Sequence, residues 1–282
     1  YKGLQQRAQP LFILASSLLA YGIGAGLTEG GGILSRPKEH WFLLWIPLAI
    51  ITGLSIAQRH RSLLRMPVQN LKPAAFEQLC SNAHVIEADG LGPKVLRLED
   101  GSFLKLFRPR RWYTSGSFNP YSERFASNSE QLRTLGIPTP HILGLYRLSD
   151  ASSAVRYTPL PGLTLRQALQ SLDSSLRESL VERFGRFMAQ LHERGVYFRS
   201  LHLGNVLLMD DGEFALIDVA DLRIYPSSLR YALRQRNLRH MQRYPQDRNW
   251  LFETHFEQLV KGYASEASPA ATAKIREQVQ SL

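Results

Sequence analysis

The sequence is nearly devoid of cysteine and short of acidic residues. Cys80 is the single cysteine in 282 residues, which excludes an intramolecular disulfide framework and a cysteine-rich zinc site. Aspartate and glutamate together number 24 against 34 lysines and arginines, so the formal net charge is +10. This excess predicts an acidic partner: nucleic acid, an anionic lipid or a phosphorylated substrate. The sequence also has no internal repeat, Walker loop, metal-type histidine cluster or nucleophile elbow, which excludes P-loop and serine-hydrolase chemistry.

Two long apolar runs occupy the first sixty-five residues. Residues 11–27 read LFILASSLLAYGIGAGL and residues 41–57 read WFLLWIPLAIITGLSIA, without a charged residue in either. Runs of this length are near the shortest that cross a bilayer core. A pair of buried core helices is the alternative, but soluble helices rarely stay uncharged on every face. The runs therefore predict a two-helix transmembrane hairpin.

The basic residues around the runs predict an orientation. Five lie outside the pair of runs and two lie in the connection between them (Lys2, Arg7, Arg59, Arg61 and Arg65 against Arg36 and Lys38). The positive-inside bias then places both ends in the cytoplasm. The segment GLTEGGGILSRPKEHWFLLWIPLAI also resembles the last two spans of O-antigen ligase and polymerase membrane proteins. This resemblance implies that the ligation residues lie upstream and that a membrane protein is a partner.

A composition change at Met66 and Pro67 marks the start of a second domain. Alternating patterns and turn residues predict strands at 85–88, 95–98, 103–107, 142–148 and 154–158, with a helix at 122–135. After a break at 159–162, we expect a long helix at 175–194, a hairpin formed by 205–209 and 214–218, and a helical, basic remainder. The predicted domains are a membrane hairpin at 1–65, a strand-rich lobe at 66–160 and a helical lobe at 161–282.

Four features of this second domain lie at a characteristic spacing. Gly90 and Gly92 lie in the first hairpin, Lys105 lies on the third strand, the stretch FRSLHLGN at 198–205 follows the long helix, and Asp218 ends the later hairpin. Over about residues 66–244 this order resembles lipopolysaccharide core kinases and aminoglycoside phosphotransferases. It is most similar to bacterial proteins called toluene-tolerance or lipopolysaccharide-kinase-like. The resemblance implies an α+β, two-lobed protein-kinase-like fold, which here follows the predicted transmembrane hairpin.

The resemblance also implies roles for these residues in phosphoryl transfer from ATP. Gly90 and Gly92 would let backbone amides approach the nucleotide phosphates, and Lys105 would pair with the α- and β-phosphates. Asn205 and Asp218 would hold Mg²⁺ through hard oxygen ligands. Simpler interpretations remain open: a hairpin-turn glycine, a solvated strand lysine, a loop amide and a capping aspartate.

Two positions depart from the kinase pattern. Asn128 occupies the helical position expected for the glutamate that pairs with Lys105, and an amide offers no counter-charge. Ser200 stands where the catalytic-loop aspartate would accept the substrate proton, and losing a general base costs about 10²–10⁴-fold in rate. His202 either takes over the base role or only braces the loop. Arg199 matches the loop arginine of the motif.

The sequence therefore predicts a membrane-tethered, ATP- and Mg²⁺-dependent kinase that phosphorylates a sugar of the lipopolysaccharide core. We expect it at the bacterial inner membrane with the kinase-like domain in the cytoplasm. The alternatives are a pseudokinase that binds or scaffolds, or an appendage of an O-antigen ligase-type membrane enzyme. Basic residues near 108–111 and 230–243 favour lipopolysaccharide or another anionic glycolipid as partner over nucleic acid.

Overall fold

The computed structural model describes residues 14, 17–20, 23, 45–52, 66–108, 120–150 and 152–280. The chain divides into two units, residues 1–67 and residues 68–282. The second unit carries all of the predicted site residues.

The transmembrane hairpin predicted for the first unit is wrong. In the described part of the chain, no helix is long and apolar enough to cross a membrane. The described residues of the second run, 45–52, are helical. The other residues of the two runs, apart from 14, 17–20 and 23, lie outside the described residues. The inner-membrane location and the orientation rested on this hairpin and are corrected with it.

The first half of the second unit is built on a six-stranded sheet. Its strands are β1 (Val68–Asn70), β2 (His84–Asp89), β3 (Gly92–Arg97), β4 (Phe103–Phe107), β5 (His141–Arg147) and β6 (Ser153–Thr158), in the order β1-β5-β6-β4-β3-β2. The pairings are antiparallel except for β1, which runs parallel to β5. Helix α1 (Pro73–Cys80) precedes β2, and helix α2 (Tyr121–Thr134) lies between β4 and β5.

Side chains along β4 alternate between the two faces of the sheet, with the apolar core on one face and Lys105 on the other. Leu104 is fully buried in a cluster with Leu96, Leu98 and Ala154, against which α1 packs Phe76. Because successive side chains of a strand point to opposite faces, Lys105 lies on the face away from that cluster. Lys105 is itself only 5% exposed.

The second half is mainly helical. It comprises β7 (Leu163–Thr164), α3 (Leu165–Ser171), α4 (Ser174–Glu193), β8 (Val196–Phe198), β9 (Val206–Leu208), β10 (Phe214–Leu216), β11 (Leu222–Ile224), α5 (Tyr231–Met241), α6 (Pro245–Arg248), α7 (Phe256–Ala264) and α8 (Pro269–Gln280). Short 3₁₀ turns at Leu203–Asn205 and Val219–Asp221 precede β9 and β11, and a π-helical turn at Asn249–Thr254 follows α6. The small sheets are β10-β9-β7 and β11-β8.

Two glycines allow the principal helix pair of this half to approach closely. α4 packs against α7, and a Cβ added to Gly262 would lie 1.7 Å from the Glu182 carbonyl oxygen. A Cβ on Gly185 would lie 2.2 Å from the Leu259 carbonyl oxygen. The backbones of α4 and α7 are therefore in direct contact at these two positions, and any side chain larger than that of glycine would collide with the facing helix. α4 is thereby held as the platform for the loop that follows it.

The α+β part of the predicted fold class is confirmed. Each strand predicted between residues 85 and 158 is present with ends shifted by up to three residues, and the helices predicted at 122–135 and 175–194 appear as α2 and α4. The predicted hairpin is β9–β10. β1, β7, β8 and β11 were not predicted, because strands of two or three residues outside a recognisable hairpin carry too little periodicity to detect.

Candidate functional site

Lys105 and Asp218 form an ion pair between the two halves of the unit. The distance from Lys105 Nζ to Asp218 Oδ1 is 2.6 Å. The Lys105 side chain is 7% exposed and that of Asp218 is 37% exposed, so the pair opens to solvent on the aspartate side. Lys105 Nζ also lies 5.8 Å from the centre of the Phe107 ring. A cation in this position can exchange the carboxylate for another anion without leaving its place on β4.

Asp218 has a backbone conformation that few residues adopt. Its φ of 56° and ψ of 41° are left-handed, and it is the one non-glycine residue with positive φ in the described chain. Such strain costs on the order of 1–3 kcal/mol and clusters at functional sites. The turn places the carboxylate between β10 and the 3₁₀ turn at Val219–Asp221, where it meets Lys105.

The loop at 199–205 lies beside Asp218. The amide of Ile217 donates to the carbonyl oxygen of Asn205 at 3.1 Å, which ties the loop to the residue before Asp218. Asn205 Nδ2 donates to the carbonyl oxygen of Ser200 at 3.0 Å. Among the described residues, no hydrogen bond uses Asn205 Oδ1, so this oxygen is available to a cation. The structure thus brings Lys105, Asn205 and Asp218 to one site.

Asn128 holds the segment after Asp218 instead of contacting Lys105. Its Nδ2 atom donates to the carbonyl oxygens of Val219 at 2.6 Å and Leu222 at 3.0 Å. The side chain is 5% exposed, so these bonds form away from water. The acidic residue earlier in the same helix, Glu123, pairs with Arg147 at 3.2 Å. α2 therefore fixes the 3₁₀ turn and leaves Asp218 as the counter-ion of Lys105.

His202 is bound within its own loop. Its Nδ1 atom accepts the amide of Gly204 at 3.0 Å, and its ring lies 4.4 Å from the Tyr244 ring. Burial, followed by the nearby Arg166 charge, lowers the pKa of His202 to about 4. A Cβ on Gly204 would lie 3.0 Å from the His202 ring and from Arg166. The structure therefore gives His202 a bracing contact, whereas its role as a base stays a prediction.

A buried carboxylate that the sequence did not reveal also holds this loop. Asp247 on α6 is fully buried, and its oxygens accept from Arg166 Nε at 2.9 Å and Arg166 Nη2 at 3.1 Å. Asp247 Oδ2 also accepts the backbone amide of Leu203 at 2.9 Å. No local pattern in the segment around residue 247 signals this contact, because its partners lie 81 and 44 residues away.

Ser200 contacts a second acidic residue missed by the sequence reasoning. Its Oγ atom donates to Asp221 Oδ1 at 2.9 Å. Burial raises the pKa of Asp221, and the hydrogen bond from Ser200 opposes this rise. Arg199 is exposed and close enough to Asp221 to affect that pKa. The signal available in the sequence was the acid three residues after Asp218.

The hydrogen-bond donors of the glycine turn already contact the carboxylate of Asp89. Gly90 and Leu91 join β2 to β3, and Gly92 has a φ of 111°. Asp89 Oδ1 accepts the amide of Leu91 at 2.9 Å and pairs with Arg108 Nη1 at 3.2 Å. Two donors that could meet a phosphate are thus already in use. In the described chain, no hydrogen bond or ion pair joins this turn to Asn205 or Ser200.

The basic residues of the helical half have different roles. Arg234 is buried and donates to Glu193 Oε1 at 2.7 Å and to the Tyr263 hydroxyl at 2.8 Å, so it is structural. The other arginines of the stretch are exposed (Arg230, Arg236, Arg239 and Arg243). Arg110 and Arg111 lie outside the described residues.

Comparisons with known proteins give two partial matches. Over 55 residues, which are 20% of this chain and 14% of the relative, the chain is 54% identical to an O-antigen ligase of Pseudomonas aeruginosa. The chain therefore spans about a seventh of that relative's length. Residues 162–263 match the family model of the lipopolysaccharide kinase (Kdo/WaaP) family. The resemblance predicted from the sequence is thereby confirmed: residues 162–263, which contain Ser200, Asn205 and Asp218, are similar to the lipopolysaccharide kinase family.

Proposed function

We propose that residues 68–282 form a kinase that transfers the γ-phosphoryl group of ATP to a sugar of the lipopolysaccharide core. The observation that carries this proposal is the 2.6 Å pair between Lys105 and Asp218 beside the Asn205 loop. Phosphoryl transfer depends mainly on positioning and charge neutralisation, and these residues supply both. The family match supports the substrate class.

The residues present fit a magnesium ion that is shared with nucleotide phosphates. Among the residues that the structure describes, there is no group of three or more His, Cys, Asp and Glu side chains that could hold a metal. Mg²⁺ in kinase sites needs few protein ligands, because the phosphates and waters supply the rest. Asp218 and the free oxygen of Asn205 would hold the ion. When bound, Mg²⁺ neutralises charge on the phosphate oxygens.

The protein's own part is to bind and orient the phosphates. Lys105 would move its contact from Asp218 to phosphate oxygens, and Asp218 would be released towards the ion. Both exchanges occur where the lysine is largely shielded from water, so the attraction to phosphate is stronger than at a surface. Asn128 keeps the turn after Asp218 in place while this exchange occurs.

A pseudokinase that binds nucleotide without transfer is the second candidate. Ser200 favours it, because a hydroxyl is not a base at neutral pH. The Asp89 carboxylate competes with phosphate for the Leu91 amide and Arg108, so it opposes phosphate binding at the glycine turn in either candidate. Binding and transfer must therefore be measured separately.

The binding test measures the Kd of Mg-ATP for the full chain by isothermal titration calorimetry. We expect Asp218→Asn and Lys105→Met each to weaken binding by at least about tenfold, or about 1.4 kcal/mol. Lys261→Met is the matched control, because Lys261 makes a 2.9 Å pair with Glu182 on the α4–α7 surface and should bind Mg-ATP like the wild type. A wild-type protein that does not bind millimolar Mg-ATP would refute the proposed function.

The transfer test follows radiolabel from γ-labelled ATP into purified lipopolysaccharide core oligosaccharide. Labelled sugar is expected with the wild type and not with Asp218→Asn. Binding of Mg-ATP without any labelled sugar would favour the pseudokinase.

A further inference from the structure

The serine in the position of the missing catalytic aspartate is hydrogen-bonded to another carboxylate. Ser200 Oγ donates to Asp221 Oδ1 at 2.9 Å. A serine hydroxyl that gives its own proton to a carboxylate keeps two lone pairs; Asn205 Nδ2 donates to Ser200 Oγ at 3.5 Å, which leaves one lone pair to accept another proton. The pair therefore forms a short path from the position of a substrate hydroxyl to a carboxylate.

Independent contacts hold both members of the pair in place. Asn205 Nδ2 lies 3.0 Å from the carbonyl oxygen of Ser200 and 3.5 Å from its hydroxyl. Asp221 ends the 3₁₀ turn that follows Asp218, and Asn128 binds the carbonyl oxygens on either side of it, at Val219 and Leu222. Because a relay works only at fixed hydrogen-bond distance, this anchoring is what such a path requires.

The surroundings of Asp221 suit a proton acceptor. The carboxylate is half-buried, and its burial raises the pKa above the ordinary value for an aspartate. Asp218 acts in the same direction, whereas the Ser200 hydrogen bond and the charges of Arg199 and Arg124 oppose it. A carboxylate with a raised pKa binds a proton more readily than an exposed one.

We propose that Asp221 is the proton acceptor of the kinase reaction proposed above, and that Ser200 Oγ carries the proton to it. The acceptor hydroxyl oxygen bonds to the γ-phosphorus of ATP while the bond from that phosphorus to the β–γ bridging oxygen breaks and ADP leaves. The hydroxyl proton passes to Ser200 Oγ, which gives its own proton to Asp221 Oδ1. The products are the sugar phosphate, ADP and a protonated Asp221, so atoms and charge balance.

His202 is the competing acceptor in the same loop, and its contacts make it the weaker one. The Nδ1 atom is occupied by the Gly204 amide, which leaves the proton of the neutral ring on Nε2. That nitrogen then has no lone pair for the substrate. The Ser200–Asp221 pair has a free lone pair on the serine oxygen.

The experiment exchanges the two groups and measures three quantities for each variant: kcat for core-sugar phosphorylation, KM for ATP and the Kd of Mg-ATP. We expect Asp221→Asn and Ser200→Ala each to lower kcat by about 10²-fold or more, with KM and Kd unchanged within error. The double variant Ser200→Asp with Asp221→Ser places the carboxylate next to the substrate and should recover most of the lost kcat. A merely structural role of Asp221 predicts no such recovery.

The control is Asp211→Asn in the turn between β9 and β10, where Asp211 Oδ1 accepts the amide of Glu213 at 2.9 Å. It should retain wild-type kcat. Wild-type kcat in Asp221→Asn, or a folded double variant as slow as Asp221→Asn, would overturn the relay and leave the proposed function intact. If Asp221→Asn does not fold, the double variant decides alone. Failure of the wild type to bind Mg-ATP or to phosphorylate the core would overturn the proposed function and the relay together.

Discussion

Asp247 provides the sharpest test of how the candidate site is held together. Its carboxylate is fully buried and accepts three hydrogen bonds, two from Arg166 and one from the amide of Leu203 in the 199–205 loop. Asp247→Ala would leave the guanidinium without its counter-charge and the Leu203 amide without an acceptor. The change therefore acts on stability and on the loop at the same time.

The expected loss of stability follows from burial. Removing one partner of a buried ion pair costs about 3–5 kcal/mol. Arg166 is 26% exposed and can regain some hydration, so we expect a loss near the lower end, about 3 kcal/mol. For a unit of this size, each kcal/mol lowers Tm by about 2–4 °C, which gives a fall of about 6–12 °C. Thermal unfolding followed by circular dichroism measures it.

The control has the same geometry at the surface. Glu257 accepts two bonds from Arg276, at 2.7 and 2.8 Å, with a side chain that is 65% exposed. Exposed pairs contribute little, so Glu257→Ala should leave Tm unchanged within error. Asp247→Asn keeps the shape of the side chain and should fall between the two. Equal Tm values for Asp247→Ala and Glu257→Ala would show that the buried contact does not hold the loop.

Three further outcomes are expected. Because the pKa of His202 is lowered to about 4 from the ordinary histidine value of about 6.5, the unfolded chain binds more protons between these values. The free energy of unfolding should then fall as the pH drops from about 6.5 to about 4, and it should fall less steeply in His202→Gln. Identical urea midpoints for the wild type and His202→Gln across this pH range would contradict this prediction. Gly262→Ala would place a Cβ 1.7 Å from the Glu182 carbonyl oxygen and should lower the free energy of unfolding by about 1–3 kcal/mol or more. In the control variant Gly90→Ala, the added Cβ has no neighbour within 4 Å. Equal chemical-denaturation midpoints for the two variants would count against this packing. Asn128→Ala leaves two buried carbonyl oxygens without a donor and should lower both Tm and Mg-ATP affinity, and an unchanged affinity would show that the turn after Asp218 needs no anchor.

Local sequence patterns predicted the strands and helices that are long enough to show a complete alternating or helical repeat of apolar residues. β4 was predicted at its observed bounds because the alternating residues FLKLF follow a turn signal, and α4 was predicted to within one residue at each end. The transmembrane hairpin predicted for the first sixty-five residues was wrong, since no helix in the described part of the chain is long and apolar enough to cross a membrane. Hydropathy describes the side chains, whereas spanning a membrane also requires about 20 residues of continuous helix.

The candidate site was predictable only where its residues form linear motifs. Lys105, Asn205 and Asp218 could be placed because each lies at a fixed distance from a turn or strand. Asn128 was expected opposite Lys105, but its true partners are backbone carbonyls more than 90 residues away. The pairing of Arg166 with Asp247 likewise depends on how α3 meets α6. Such contacts are set by packing, and packing has no short-range signature.

Buried polar groups near the candidate site cost stability that apolar residues would not. Lys105 and Asn128 are each 5% exposed and Asp247 is fully buried. Replacing buried charges with apolar residues of similar volume is often neutral or stabilising, so fold stability alone does not explain these side chains. All three act on the segments 203–205 or 218–222, and holding such segments rigid is what preorganised phosphoryl transfer requires. The loop anchored by Asp247 contains Asn205, which would hold the metal of a bound nucleotide, and Ser200, which would take part only in transfer. The anchor therefore suits nucleotide binding and transfer alike, and the Ser200–Asp221 exchange is the experiment that separates the two.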